Sequence, residues 1–186
     1  MAAGSVSSMK LQQIHHVAYR CNDAKETVEF YQRVLKMDFL VAISEDKVPS
    51  TKEPDPYMHL FLDAGNGNIL AFFEIPNSPP MGFDPNTPRW VQHIAFQLES
   101  VDALIQAKAE IEAHGLEVIG PTDHGIIKSI YFFDPNGHRL ELTCVIGTPT
   151  QMAELKQLAP VMLEEWSKDK KVVTHASWLH ENEFSQ

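Results

Sequence analysis

The sequence predicts an α+β fold made of paired βαβββ modules followed by a helical C-terminal extension. Three observations carry that expectation: a sharply punctuated hairpin near the end of the second module, an internal repeat, and a proline-rich stretch between its two copies. The hairpin is Ser129–Thr143 (SIYFFDPNGHRLELT), where two apolar, β-prone arms flank Asp134-Pro135-Asn136-Gly137. Proline sets a turn φ, and Asn-Gly supplies the positive φ of a tight turn. The repeat pairs His16-Val-Ala-Tyr19 with His93-Ile-Ala-Phe96, each followed by a helical pattern. Between the copies, residues 76–89 (PNSPPMGFDPNTPR) hold five prolines and read as a linker.

Each element follows from local pattern. Residues 1–9 read as a leader without structure. Lys10–Cys21 contains a β-rich run centred on Ile14–Tyr19, and Asn22-Asp23 breaks it and can cap a helix. Apolar residues then recur at helical spacing through Thr27–Met37. Phe39–Ile43 reads as a strand, 44–56 as a loop, Tyr57–Leu62 as a strand, Asp63–Asn68 as a glycine-rich turn and Ile69–Ile75 as a strand. The second copy repeats this order. Trp90–Leu98 is a predicted strand, Val101–His114 a helix ended by Gly115, Leu116–Ile119 a strand, Gly120–Gly125 a loop, and Ile127–Phe133 with His138–Val145 the hairpin. The expected organisation is therefore a first module at 10–76, a linker at 77–89, a second module at 90–146 and an extension at 147–186. In the extension, Leu155, Leu158, Val161-Met162 and Trp166 are spaced as an amphipathic helix, expected to bury Leu155, Leu158 and Trp166 against the body.

Composition bounds the function. The chain has 186 residues and a formal net charge of −10, which argues against nucleic acid or an anionic membrane as partner. No apolar run approaches a membrane span, and Met1–Ser8 lacks the charged and apolar regions of a signal peptide. Two cysteines, Cys21 and Cys144, without CxxC spacing suit reduced thiols. A cytoplasmic protein acting on a small molecule, assembled as a homodimer, is the expectation.

The candidate chemistry lies at repeat-related positions. His16 and His93 occupy the same place in the two first strands, and Glu141 lies between two leucines on the last strand. Strand parity puts Glu141 on the face opposite Leu140 and Leu142. A carboxylate on an enclosed sheet face is costly unless a cation meets it. Two imidazoles and one carboxylate suit a divalent metal such as Fe(II), Mn(II), Ni(II) or Zn(II). A lone histidine is more often a core or surface residue than a ligand; the repeat is what raises His16 and His93. By parity His15 points to the other face. Glu74, in Phe-Phe-Glu-Ile, matches Glu141 by its letters and is a possible fourth ligand.

These residues give the chain a family resemblance. With I-H-H-V-A-Y-R, the H-I-A-F repeat and Y-F-F-D-P-N-G-H-R-L-E-L, residues 10–146 resemble the vicinal oxygen chelate superfamily. That superfamily includes glyoxalase I, extradiol ring-cleaving dioxygenases, fosfomycin-resistance proteins and bleomycin-binding proteins. The resemblance implies paired modules forming a cupped mixed sheet around a metal that binds substrate oxygens directly. Within it, extradiol dioxygenases have metal ligands matching His16, His93 and Glu141, with a substrate-contacting tyrosine at Tyr131 and a His-Gly matching His124-Gly125. That reading implies Fe(II), a catechol-like diol and O2, with His124 and Tyr131 as the catalytic pair. The alternative is a glyoxalase I-like lyase acting on a hemithioacetal through a His/Glu/His/Glu site. It would use Glu74 as a ligand and Arg20 as a contact to glutathione. A metal-free small-molecule binding or resistance protein is the third reading. The extension at 147–186 departs from the family pattern.

Overall fold

The computed structural model describes residues 9–180 and divides into two compact units, Met1–Phe83 and Asp84–Gln186. The leader expected at 1–9 lies, apart from Met9, outside the described residues, as do residues 181–186.

The first unit contains β1 (His16–Arg20), α1 (Ala24–Leu35), β2 (Phe39–Lys47), β3 (Pro54–Asp63) and β4 (Ile69–Glu74). Its four strands form one sheet in the order β1-β4-β3-β2, with β1 parallel to β4 and the other neighbours antiparallel. Asp23 caps α1, its side chain accepting from the Glu26 amide at 2.7 Å. The helix buries Thr27, Phe30, Tyr31 and Val34, and Tyr31 meets Phe72 with ring centroids 5.1 Å apart. Leu60, Leu62, Leu70 and Phe72 alternate along β3 and β4 and are all buried. Each such side chain contributes roughly 1.5–3 kcal/mol by leaving water. The opposite face of this sheet carries His16, Ala18, His59, Phe61, Ala71 and Phe73, as the strand register requires.

The second unit contains β5 (His93–Gln97), α2 (Val101–Ala113), β6 (Ile119–Asp123), β7 (Ile127–Phe133), β8 (Arg139–Val145), α3 (Pro149–Asp169) and a 3₁₀ turn at Ser177–His180. Its sheet repeats the first, in the order β5-β8-β7-β6 with β5 parallel to β8. Ser100 caps α2 by accepting from the Ala103 amide. Leu104 and Ile111 of α2 are buried, as are Ile130, Phe132, Leu140 and Leu142 of the two strands it packs on. The other face carries His93, Tyr131, Arg139 and Glu141.

Several elements differ from the sequence expectation. The predicted loop at 44–56 is shorter, because β2 runs on to Lys47 and β3 starts at Pro54. The predicted loop at Gly120–Gly125 is largely strand β6, and Leu116–Val118 lie outside it. Gly120 explains the miss. Its φ of +104° produces a break in register, with Ile119 opposite Tyr131 but Thr122 opposite Ser129. A Cβ there would stand 2.6 Å from the Ser129 carbonyl oxygen, so only glycine lets the strand continue past it.

The extension is the largest correction. Residues Pro149–Asp169 form a 21-residue helix, opened by a Thr148/Gln151 capping box, yet none of its residues is buried. Leu155 and Leu158 are half-buried, and Trp166 is 45% exposed. The spacing predicted an apolar stripe correctly, but spacing does not say how much surface is available to cover it.

The Asp134–Gly137 turn is closed by its own first residue. One carboxylate oxygen of Asp134 accepts from the amides of Asn136 (2.9 Å) and His138 (2.8 Å), and the other from the Asn136 side chain (3.0 Å). Asp134 is 5% exposed, so removing it strands buried donors. Asp134→Ala should therefore lower unfolding free energy by about 1–3 kcal/mol, read from the urea midpoint at constant slope. A change under about 0.5 kcal/mol, the scale of an ordinary surface substitution, would show that the turn holds without its acceptor.

Candidate metal and substrate site

In the second unit the site grows from the register of three strands. His93 stands opposite Arg139 on β8, and Glu141 stands opposite Tyr131 on β7, so all four side chains share one sheet face. β8 is an interior strand, and Glu141 is 3% exposed. His93 Nε2 lies 2.8 Å from a carboxylate oxygen of Glu141. The other ring nitrogen of His93, Nδ1, lies 3.0 Å from the Val91 carbonyl oxygen, which can only accept. That contact puts the proton of a neutral ring on Nδ1 and leaves a lone pair on Nε2. Two lone-pair-bearing atoms would then face each other, so the contact calls for a cation: a second proton, or a metal. Neighbouring ligands at about 2.1 Å from one metal, at a right angle, stand about 3.0 Å apart. The pair therefore fits a divalent metal, with Val91 orienting the ring from behind.

Beside it, His124 Nε2 and the Tyr131 hydroxyl are 2.8 Å apart. His124 lies in the loop between β6 and β7, where its amide donates to the Ile127 carbonyl and Asp123 accepts from the Gly125 amide. Gly125 has φ +81° and is pressed against the Leu179 backbone, so the terminal turn fixes the loop that carries His124. The Arg139 guanidinium lies 4.1 Å from the centre of the Tyr131 ring. Tyr131 is 8% exposed, and burial first, then the Glu141 charge, push its phenol above the ordinary value of 10.0.

In the first unit, His16 and His15 approach with their Nδ1 atoms 2.9 Å apart. The parity argument that sent His15 to the other face does not apply, because β1 begins at His16. Sequence reasoning passed over His59. It shares the His16 face, stacks on Phe73 at 3.7 Å and lies against Phe61, and its buried Nε2 has no hydrogen-bond partner. Burial, and then His16, hold its imidazole below the ordinary value of 6.5. The pattern Tyr57-Met-His-Leu-Phe places His59 on the face of Tyr57 and Phe61, the one signal that could have found it.

Glu74 occupies a different position from Glu141. Ala18 pairs with Ala71 in the first sheet, as Ala95 pairs with Glu141 in the second. The repeat partner of Glu141 is thus Ala71, and the letter match is three residues out of register. Glu74 accepts from the Ala24 amide at 2.7 Å, capping the start of α1. Arg20 donates to the Pro79 carbonyl at 2.6 Å. Among the described residues no three His, Cys, Asp or Glu side chains gather as a metal-binding group. His93 and Glu141 form a pair in their unit, and His16 belongs to the other.

Residues 13–142 match the Glyoxalase/Bleomycin resistance protein/Dioxygenase superfamily, and the chain belongs to it. MhqA of Bacillus subtilis (strain 168), provisionally assigned as a ring-cleaving dioxygenase, is 30% identical over 138 residues. That match covers 73% of this chain but 41% of MhqA, so the chain spans about two fifths of that relative's length. The metallothiol transferase FosB of Staphylococcus epidermidis (strain ATCC 12228 / FDA PCI 1200) is 26% identical over 142 residues, covering 72% of this chain and 82% of FosB. The crystal structure of a glyoxylase/bleomycin resistance protein/dioxygenase domain from Frankia sp. EAN1pec superposes with a TM-score of 0.58 at 19% identity. It covers 73% of this chain and 99% of that one, and it shows the fold. Members of the superfamily are mostly metalloenzymes that act on small molecules. Among the described residues, no helix is long and apolar enough to cross a membrane.

The raised Tyr131 value has a consequence for stability. In the folded chain the phenol keeps its proton above the pH at which an unfolded tyrosine loses it. The resulting stabilisation is fully present below pH 10.0 and is lost as pH rises through the folded value. Urea midpoints of the native chain should therefore fall more steeply above about pH 10 than those of Tyr131→Phe. Parallel curves for the two proteins would show that this phenol is not the group responsible.

Proposed function

We propose that the protein is a metal-dependent ring-cleaving dioxygenase of the extradiol type, acting on a catechol-like diol and O2. The observation that carries this reading is the Tyr131–His124 hydrogen bond directly beside the His93–Glu141 pair on one sheet face. A phenol joined to an imidazole next to a candidate metal pair is a proton relay placed where a bound diol would lose its protons. In this reading His16, His93 and Glu141 are the ligands, and Fe(II) is the metal. Held by these residues, the metal would supply the redox link between the diol and O2. Tyr131 would accept a hydrogen bond from a diol hydroxyl while donating its own proton to His124, and the reverse shift would return the proton. The kinship with MhqA supports the same reading for the portion of that protein the chain matches.

Ala71 weakens the glyoxalase-type alternative. A His/Glu/His/Glu set needs a second carboxylate at the repeat position of Glu141, and that position carries a methyl group, while Glu74 is occupied at the start of α1. A three-ligand set leaves more open positions for a diol and O2. The FosB kinship keeps thiol-transfer chemistry as the second reading.

The test is anaerobic purification with metal analysis, followed by oxygen uptake with catechol and, separately, an assay with methylglyoxal plus glutathione. His16→Ala, His93→Ala and Glu141→Ala should each lower bound metal at least tenfold, a loss of about 1.4 kcal/mol or more, while Glu74→Gln retains it. Tyr131→Phe and His124→Asn should keep the metal and reduce kcat with catechol by roughly tenfold to ten-thousandfold. Turnover of methylglyoxal with glutathione that disappears in Glu74→Gln, without oxygen uptake on any catechol, would replace this reading by the glyoxalase one.

A further inference from the structure

We propose that Arg139 anchors an anionic substituent of the substrate, a carboxylate, so that the preferred substrate is an acidic catechol. The inference rests on the dioxygenase reading above and adds the substrate class. Arg139 precedes Glu141 by two residues on β8 and stands opposite His93 on β5 and Phe133 on β7, so it shares the site face. It is held from two sides. One guanidinium nitrogen, Nη1, donates to the Trp90 carbonyl at 2.7 Å, and the guanidinium carbon lies over the Tyr131 ring, 4.1 Å from its centroid.

What it lacks is an anion. Among the described residues Arg139 has no carboxylate partner, and its Nε and Nη2 have no protein acceptor. The nearby carboxylate, Glu141, is committed to His93 at 2.8 Å. A guanidinium keeps its charge at any pH of interest and offers a rigid fork that matches a carboxylate through two parallel hydrogen bonds. Pinned by Trp90 and Tyr131, this one gives up little rotamer freedom when it binds. Trp90 is 68% exposed and Arg139 half-exposed, so the approach is open. The chain as a whole carries −10, which repels an anionic substrate. A fixed cation beside the candidate metal pair is what would draw such a substrate in and orient its ring. The competing role for Arg139 is to cover Tyr131 and nothing else. That role predicts equal treatment of neutral and acidic catechols.

Anaerobic titration calorimetry of the iron-loaded protein with 3,4-dihydroxyphenylacetate and with 4-methylcatechol separates the two roles. The acidic ligand should bind roughly tenfold to a hundredfold more tightly, the range expected for a charge-assisted bidentate contact. Arg139→Gln should collapse that ratio toward one, and Arg139→Lys should restore part of it. The ratio cancels any general loosening caused by uncovering Tyr131. A wild-type ratio near one, with oxygen uptake on 4-methylcatechol intact, would overturn the anchor and leave the dioxygenase reading standing. A strong preference that survives in Arg139→Gln would also overturn it. If neither catechol binds or is cleaved, the dioxygenase reading fails and the anchor with it.

Discussion

A buried carboxylate has to be neutralised, and in this chain that requirement falls on Glu141. The side chain is 3% exposed on an interior strand, and the group that meets it is the His93 ring. An isolated ionised carboxylate in such a place would cost several kcal/mol, and the His93 ring is the group placed to offset that cost. The Val91 carbonyl decides which nitrogen of His93 faces the carboxylate. From this pair the neighbouring groups take their places. Tyr131 lies opposite Glu141, His124 reaches the Tyr131 hydroxyl, and Arg139 closes over the phenol ring. Each of these positions follows from strand register rather than from a loop that could be arranged freely. The exception is His124, whose loop is held by Gly125 against the terminal turn.

The duplication is faithful in its backbone and broken in its chemistry. Both sheets pair a parallel edge strand with the last strand of their module, and both put a histidine at the start of that edge strand. At the next equivalent position the copies part, Ala71 in one and Glu141 in the other. The first unit surrounds His16 with rings, among them His59 and Phe61, where the second supplies a carboxylate and a phenol. This asymmetry bears on reaction class. In the proposed reading, a ligand set without a second repeat carboxylate leaves more coordination positions for substrate.

The legible parts of the sequence were those governed by strong local rules. Asp134-Pro-Asn-Gly marked its turn because the Asp side chain and the Gly137 conformation are specified by residue type alone. His16, His93, Tyr131, His124 and Glu141 could be named from the repeat and from a family resemblance. It is the observed register of β7 against β8 that puts Tyr131 and Glu141 on one face. Register across strands was not legible. Glu74 resembled Glu141 in its neighbours, yet pairing between β1 and β4 sets Ala71 in that place. His59 was passed over because nothing local distinguishes a histidine beside the site from any other on an aromatic strand. The bulge at Gly120 hid β6 inside an apparent loop. For α3, spacing revealed the stripe of Leu155 and Leu158 but not that it would stay half-exposed, since burial depends on the surface opposite.

The central claim is that His93 and Glu141 hold one metal and that Glu74 does not. Anomalous diffraction at the iron edge, from crystals grown without oxygen, tests it most directly. The account predicts a single strong peak within about 2.2 Å of both His93 Nε2 and a Glu141 carboxylate oxygen, with Glu74 still bonded to the Ala24 amide. A peak coordinated by Glu74, or iron bound elsewhere while His93 and Glu141 touch only each other, would contradict it.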